Sequence, residues 1–169
     1  MKDFARFSLV LFLICSIAAA FLASIFKIAE PKISEQRQLE EKKAIEEVMG
    51  QEPEVIEKIE KEDLVFYKAK DSQGNLIAYV FIAKARGYSS DIRTVIAMDS
   101  NAKIIAVKIL EHQETPGIGS RIEENEFLNQ FKNRNVDEQF DTITGATISS
   151  RAVIDSVKEK AQEIIKNER

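Results

Sequence analysis

Cysteine occurs once, at Cys15, which excludes an internal disulfide or a cysteine cluster. Histidine also occurs once, at His112, so little material is left for a transition-metal site. Tryptophan is absent, which removes the commonest strong stacking partner for a planar ligand. No glycine-rich loop able to cradle a nucleotide phosphate is present, and no Ser-His-Asp set is readable. These gaps argue against a small-molecule substrate of the chain's own. The formal net charge is -4, with no dense Lys/Arg patch, so nucleic acid is excluded as a partner. What remains is an ordinary composition, 31% charged and 44% hydrophobic, over 169 residues. That is enough for one domain and one extra element.

The extra element is at the N-terminus. Residues Phe7 to Phe26, FSLVLFLICSIAAAFLASIF, carry no charge. The run is the length a helix needs to cross a bilayer. Lys2 and Arg6 precede it against one acid, Asp3, and the flank after it is mixed. That bias favours a cytoplasmic stretch at residues 1–6, a transmembrane helix at 7–26 and an exported body. Ala18-Ala19-Ala20 offers the alternative of a cleaved signal peptide. The apolar run continues beyond it through Phe21, Leu22, Ile25 and Phe26, which suits a permanent anchor. Leu13-Ile14 before Cys15 does not read as a lipoprotein box.

Pro31 marks an expected exit from this helix, and residues 27–54 read as a charged helical linker. Within it, Ile33 to Met49 forms a helix with apolar points at Ile33, Leu39, Ala44, Ile45, Val48 and Met49, thin in the middle and packed only in part. Gly50 is its stop and Pro53 follows. Residues 55–169 read as an extracytoplasmic domain. Leu64–Tyr67, Leu76–Ala83, Ile92–Met98 and Lys103–Leu110 are strand candidates, with turns at Asp71–Asn75 and Asp99–Ala102. Leu76–Ala83 is apolar on both parities, as a strand buried on two faces requires. Arg121 to Lys132 is a helix candidate with Phe127 and Phe131 on one face. A last helix starts near Thr147, with Ile148, Ala152, Val153, Val157, Ala161, Ile164 and Ile165 as its stripe. The fold class is α+β, an antiparallel sheet flanked by helices and preceded by one transmembrane helix.

Two runs carry chemistry. In Asp141-Thr142-Ile143-Thr144-Gly145-Ala146-Thr147 a threonine hydroxyl follows a Gly-Ala step and precedes a helix. Free N–H groups of a first helical turn can hold a phosphate on that hydroxyl. Gly145 reaches backbone angles closed to other residues and Ala146 adds little bulk, so another protein can approach. The plain alternative is an N-cap threonine. Asp141 reads either as a recognition residue or as an Asx-turn residue. Ser149 and Ser150 are candidates to bond the phosphate or simply to cap. The second run is Glu111-His112-Gln113-Glu114-Thr115-Pro116-Gly117-Ile118-Gly119. Its rigid proline and flexible glycine can bring backbone N–H groups flat against a planar ring, or form an ordinary turn. His112 reads as a surface-loop residue, and Tyr88 as a border of the ring or a structural tyrosine.

In this order the two runs, with Gly87-Tyr88 upstream, resemble the FMN-binding domain family over residues 87–165. The first resembles its flavinylation motif, Asp-x-x-(Ser/Thr)-Gly-Ala-(Ser/Thr), and the second its Glu-His-x-Glu-Thr-Pro-Gly-Leu-Gly loop. With an anchor and a short chain, the resemblance is nearest to the G subunits of Rnf ion-translocating electron-transport complexes. The related C subunits of Na⁺-pumping NADH:quinone oxidoreductases, usually longer, and stand-alone anchored FMN proteins are the alternatives. A tethered binding module without cofactor is a different class. The resemblance implies covalent FMN in phosphoester linkage to Thr147, placed there by a separate Mg²⁺-dependent flavin transferase that uses FAD and releases AMP. It implies further site positions at Asp141, Thr144, Gly145 and Ala146, and flavin contact by Glu114, Thr115, Pro116 and Gly117. It also implies an electron-carrying role in a membrane oxidoreductase complex that couples ferredoxin/NAD-type electron transfer to ion transport. The partners would be the other membrane and redox subunits. Ser90 and Ala102 depart from the pattern, each standing where a glycine is expected.

Overall fold

The computed structural model describes residues 2–50, 55–61 and 64–168. The chain divides into two compact units, Met1–Glu40 and Glu41–Arg169. Helix α1 (Lys2–Met49) makes up the first unit and continues into the second. It does not stop at Pro31, which lies inside it. A proline removes one N–H and crowds the preceding turn, at a cost of about 3 kcal/mol. Strong helix formers on both sides, Ala29 and Glu30 before and Lys32, Glu35 and Gln36 after, carry the helix through. α1 is the one helix among the described residues long and apolar enough to cross a membrane. The large apolar side chains of its first half, such as Phe12, Phe21 and Leu22, are exposed. Its serines return their hydroxyls to the helix, Ser16 to the Phe12 carbonyl and Ser24 to the Ala20 carbonyl, each at 2.8 Å. No hydroxyl of these two is left to be desolvated by lipid.

The second unit is built on a five-stranded antiparallel sheet in sequential order: β1 (Val55–Lys61), β2 (Leu64–Lys70), β3 (Leu76–Arg86), β4 (Asp91–Met98) and β5 (Ile104–Glu111). Both faces are covered. On one face Phe66, Phe81, Ile96 and Ile104 pack against Val153, Val157, Ala161 and Ile164 of α3 (Thr147–Glu168). On the other, Ala69, Ala78, Val80, Val95 and Ala97 pack beneath Ala44, Ile45, Val48 and Met49 of α1. The two-sided apolar character of β3 follows from this. Each fully buried phenylalanine here stabilises the fold by about 1.5–3 kcal/mol relative to an exposed one.

Tight turns join the strands. Asp71 accepts from the N–H groups of Gln73 and Asn75 at 2.9 and 2.8 Å, and Gly74 closes the turn at φ +82°. Ala102, where a glycine was expected, is itself left-handed at φ +63°. Gly50, at φ +62°, follows α1 as its stop; Pro53 lies outside the described residues. The expected helix from Arg121 to Lys132 is instead three short pieces. They are a 3₁₀ turn at Gly119–Glu123, α2 (Asn125–Leu128) and a 3₁₀ turn at Asn129–Phe131. Glu124 between the first two is extended (φ -66°, ψ 139°), which interrupts the hydrogen-bond ladder. Phe127 and Phe131 still meet, edge to face at 5.5 Å.

Candidate functional site

The last helix begins at Thr147 because the residues before it cannot continue one. Gly145 is left-handed at φ +87°, and the Ala146 N–H donates to the Ile143 carbonyl at 2.9 Å, closing a tight turn. Ala146 is buried; Asp141, Thr144, Gly145 and Thr147 are exposed. The Thr147 side chain therefore stands on the surface at the first position of α3, whose first-turn N–H groups lack intrahelical partners. Two side chains fasten the turn from behind. The Ser150 hydroxyl accepts from the Ile143 N–H at 3.1 Å and donates to the Ala146 carbonyl at 2.8 Å. The Gln130 amide grips the backbone of Asp141, accepting from its N–H at 2.7 Å and donating to its carbonyl at 3.1 Å.

The loop Thr115–Gly119 is a second tight turn. The N–H groups of Ile118 and Ser120 both reach the Thr115 carbonyl, each at 3.2 Å. The Gly117 N–H donates to the Ser120 hydroxyl at 2.8 Å, and Gly117 is left-handed at φ +72°. Thr115, Pro116 and Gly117 are exposed.

Glu114 is different. It is buried, with 5% of its surface exposed. One carboxylate oxygen accepts from the N–H groups of Ser89 and Ser90 at 2.9 and 3.0 Å, and from the Ser90 hydroxyl at 3.4 Å. The other accepts from the Tyr88 N–H at 3.2 Å and the Ser149 hydroxyl at 2.6 Å. Burial pushes this carboxyl's pKa up, but the bonds from Ser149 and from Ser90, Ser89 and Tyr88 outweigh it and hold it below the usual carboxylate range. Room for the carboxylate exists because its neighbours are glycines. A Cβ on Gly87 would fall 2.6 Å from Glu114 Oε1, and one on Gly119 2.8 Å from Glu114 Cβ. Ser90, where a glycine was expected, adds the hydroxyl that accepts from the Gln113 N–H at 2.6 Å.

Three expectations are corrected. His112 is not a surface histidine; its side chain is 10% exposed. Its Nδ1 lies 3.0 Å from the Glu114 N–H and its Nε2 2.9 Å from Glu123. Ser149 and Ser150 are buried and directed inward, to Glu114 and to the turn backbone respectively. Ile148 does not join the core stripe of α3; it is 56% exposed.

These pieces surround one cleft of about 470 Å³. Glu114, Thr115 and Gly119 come from the loop, Gly145 to Ser149 from the turn and helix, and Tyr88 from the turn between β3 and β4. Asp141 and Thr144 line a neighbouring hollow with Gln130 and Phe127 instead. Tyr88, Ile118 and Ile148 stand in the cleft 69%, 52% and 56% exposed. Apolar side chains so uncovered beside the exposed Thr147 hydroxyl make a seat for a flat apolar group. The sequence motif draws attention to Thr147 but gives no sign of Ile118 or Ile148, because an isoleucine in a loop or at a helix start carries no mark of exposure.

Known proteins resemble this chain in sequence and in fold. The FMN-binding domain family matches residues 87–162. The chain is 30% identical over 163 residues to the G subunit of the proton-translocating ferredoxin:NAD(+) oxidoreductase complex of Clostridium ljungdahlii, covering 89% of this chain and 85% of that one. It is 28% identical to the G subunit of the ion-translocating oxidoreductase complex of Methanosarcina acetivorans, covering 92% of each. The fold is shared with the crystal structure of Shewanella oneidensis NqrC. The TM-score is 0.53 at 21% identity, over 69% of this chain and 71% of that chain.

Proposed function

Because the chain belongs to the FMN-binding G-subunit family of ion-translocating oxidoreductase complexes, we propose that Thr147 carries its FMN as a covalent phosphoester. The observation that supports this most directly is the placement of Thr147, exposed at the first position of α3 and bordered by Tyr88, Ile118 and Ile148. The residues present fit the group. The first-turn N–H groups of α3 suit a phosphodiester, and the exposed apolar side chains suit the ring. Thr115, Pro116 and Gly117 form the exposed loop beside the cleft and would border the flavin, while Gly145 and Ala146 would leave the hydroxyl accessible. Asp141 and Thr144, on the neighbouring hollow, would serve recognition by a Mg²⁺-dependent flavin transferase.

FMN supplies acceptance of an electron pair and its release as single electrons. The protein would bind and orient it, and pass electrons between other redox subunits of a membrane complex that moves ions. The exposed apolar part of α1, residues 7–26, would anchor the chain in the cell membrane, with residues 1–6 cytoplasmic and the sheet domain on the outer face. Thr147→Ala tests the attachment. The variant should fold and carry no flavin after denaturation, read as loss of the fluorescent gel band and of the corresponding mass. A chain that keeps its flavin through denaturation would refute the assignment.

A further inference from the structure

We propose that Glu114 is a positioning residue for flavin attachment, holding the first turn of α3 through Ser149 so that the Thr147 hydroxyl is presented in one orientation. This rests on the reading that Thr147 is the acceptor.

The carboxylate joins three stretches far apart in sequence: Tyr88–Ser90, the loop that begins at Glu114 itself, and the first turn of α3. A carboxylate offers about four lone-pair sites. Here three backbone N–H groups and two hydroxyls already occupy them. Little capacity is left for a flavin, so the group acts through its neighbours. Ser149 is two residues beyond Thr147, and its 2.6 Å bond is the tie that fixes this turn to the loops. A helix's first turn lacks the backbone bonds that steady its middle. The turn before it is fastened from behind by Ser150 and Gln130. The Ser149 bond adds the tie from the Glu114 loop, on the side of the helix start that carries Thr147. Two glycines, Gly87 and Gly119, leave room for this side chain: a Cβ on either would fall within 3.0 Å of Glu114.

Orientation matters to the transfer. Thr147 Oγ forms a bond to the phosphorus of the riboflavin-phosphate half of FAD, and the pyrophosphate P–O bond to the AMP half breaks. AMP leaves with that electron pair, and the threonine proton passes to a base on the transferase. A misplaced acceptor raises the barrier of such an in-line displacement, by about 100-fold in rate for about 1 Å.

The test is a time course of covalent labelling, by in-gel flavin fluorescence, of the full chain in detergent with a purified flavin transferase, FAD and Mg²⁺. Ser149→Ala removes only the tie. Its kcat as acceptor should fall roughly 10- to 100-fold, with little change in KM, because contact with the transferase is unaltered. Ser149→Thr keeps a hydroxyl and should restore most of the rate. Glu114→Gln should also slow labelling, and the double variant Glu114→Gln/Ser149→Ala should be no slower than the slower single variant. A merely structural role would lower the melting temperature without this split or this coupling. Wild-type labelling by folded Ser149→Ala, or effects that multiply in the double variant, would overturn the tie alone. Labelling of Thr147→Ala in the same assay would overturn the attachment reading and this inference with it.

Discussion

Replacing Gly87 by alanine is the sharpest probe of how tightly the buried carboxylate is held. Gly87 is buried and its φ lies outside the left-handed region, so its backbone accepts any residue and the cost is one of contact. The new methyl would come within 2.6 Å of Glu114 Oε1 and 2.7 Å of Ile92 Cδ1. Neither can yield easily. Ile92 is 1% exposed in the core, and Glu114 is bonded from both sides. Overpacking of this kind costs about 1–3 kcal/mol. A carboxylate forced aside would also weaken at least one charge-assisted hydrogen bond, about 1.5–3 kcal/mol. Alanine returns about 0.4–1 kcal/mol by restricting the unfolded chain. The net loss is about 2–4 kcal/mol, or a drop of roughly 10 °C in melting temperature for a domain of this size. Thermal melts followed by circular dichroism would measure it. Gly74→Ala, at φ +82° with nothing near, is the control and should lose only about 1 kcal/mol. In a Glu114→Ala background the Gly87 substitution should cost less, because only the contact with Ile92 remains. If Gly87→Ala melts with the wild type, the carboxylate is not clamped as described.

Other outcomes follow from the same reasoning. Ala102→Gly should stabilise the domain by about 0.5–1 kcal/mol in denaturant titrations, since it relieves a left-handed alanine at φ +63° but adds unfolded-state entropy. Glu114 has a folded pKa below its unfolded one, so its contribution is present above the unfolded value and is lost as pH falls through the folded value. Unfolding midpoints should therefore be flat from neutral pH down to about 5 and fall below that, and Glu114→Gln should flatten the acid limb. A reporter joined after Arg169 should be active outside the cytoplasm, with the chain uncleaved and extractable only by detergent; a processed, salt-extractable chain would refute the anchor.

The strands from β2 to β5 were legible because their residues are apolar where the sheet is buried, on both parities in β3. β1 was not. Its sequence, VIEKIEK, is mostly charged and exposed, as an edge strand that discourages further pairing can be, and it carries no alternation to find. The helix read over Arg121 to Lys132 failed for a related reason. Phe127 and Phe131 have helical spacing, but one extended residue at Glu124 is enough to break the ladder, and nothing in its side chain announces that. At the site, the helix start at Thr147 and the left-handed Gly145 before it were legible from local sequence. The burial of Glu114 was not, because its partners lie 24 to 35 residues away; the resemblance implied flavin contact for it instead. His112 and Ser149 were misread for the same reason: their burial comes from tertiary neighbours.

The last turns of α1 bear on where the chain can be cut without harm to the sheet domain. Ala44, Ile45, Val48 and Met49 are buried at 2–7% exposure over a sheet face that includes Ala69, Ala78, Val80, Val95 and Ala97. A cut before Glu41 would leave that sheet face covered. One after Met49 would strip that lid and bare a flat patch of small apolar side chains, an invitation to aggregate. A harmless cut and a damaging one are thus separated by two helical turns, and a recombinant fragment that begins at the first strand would be born sticky.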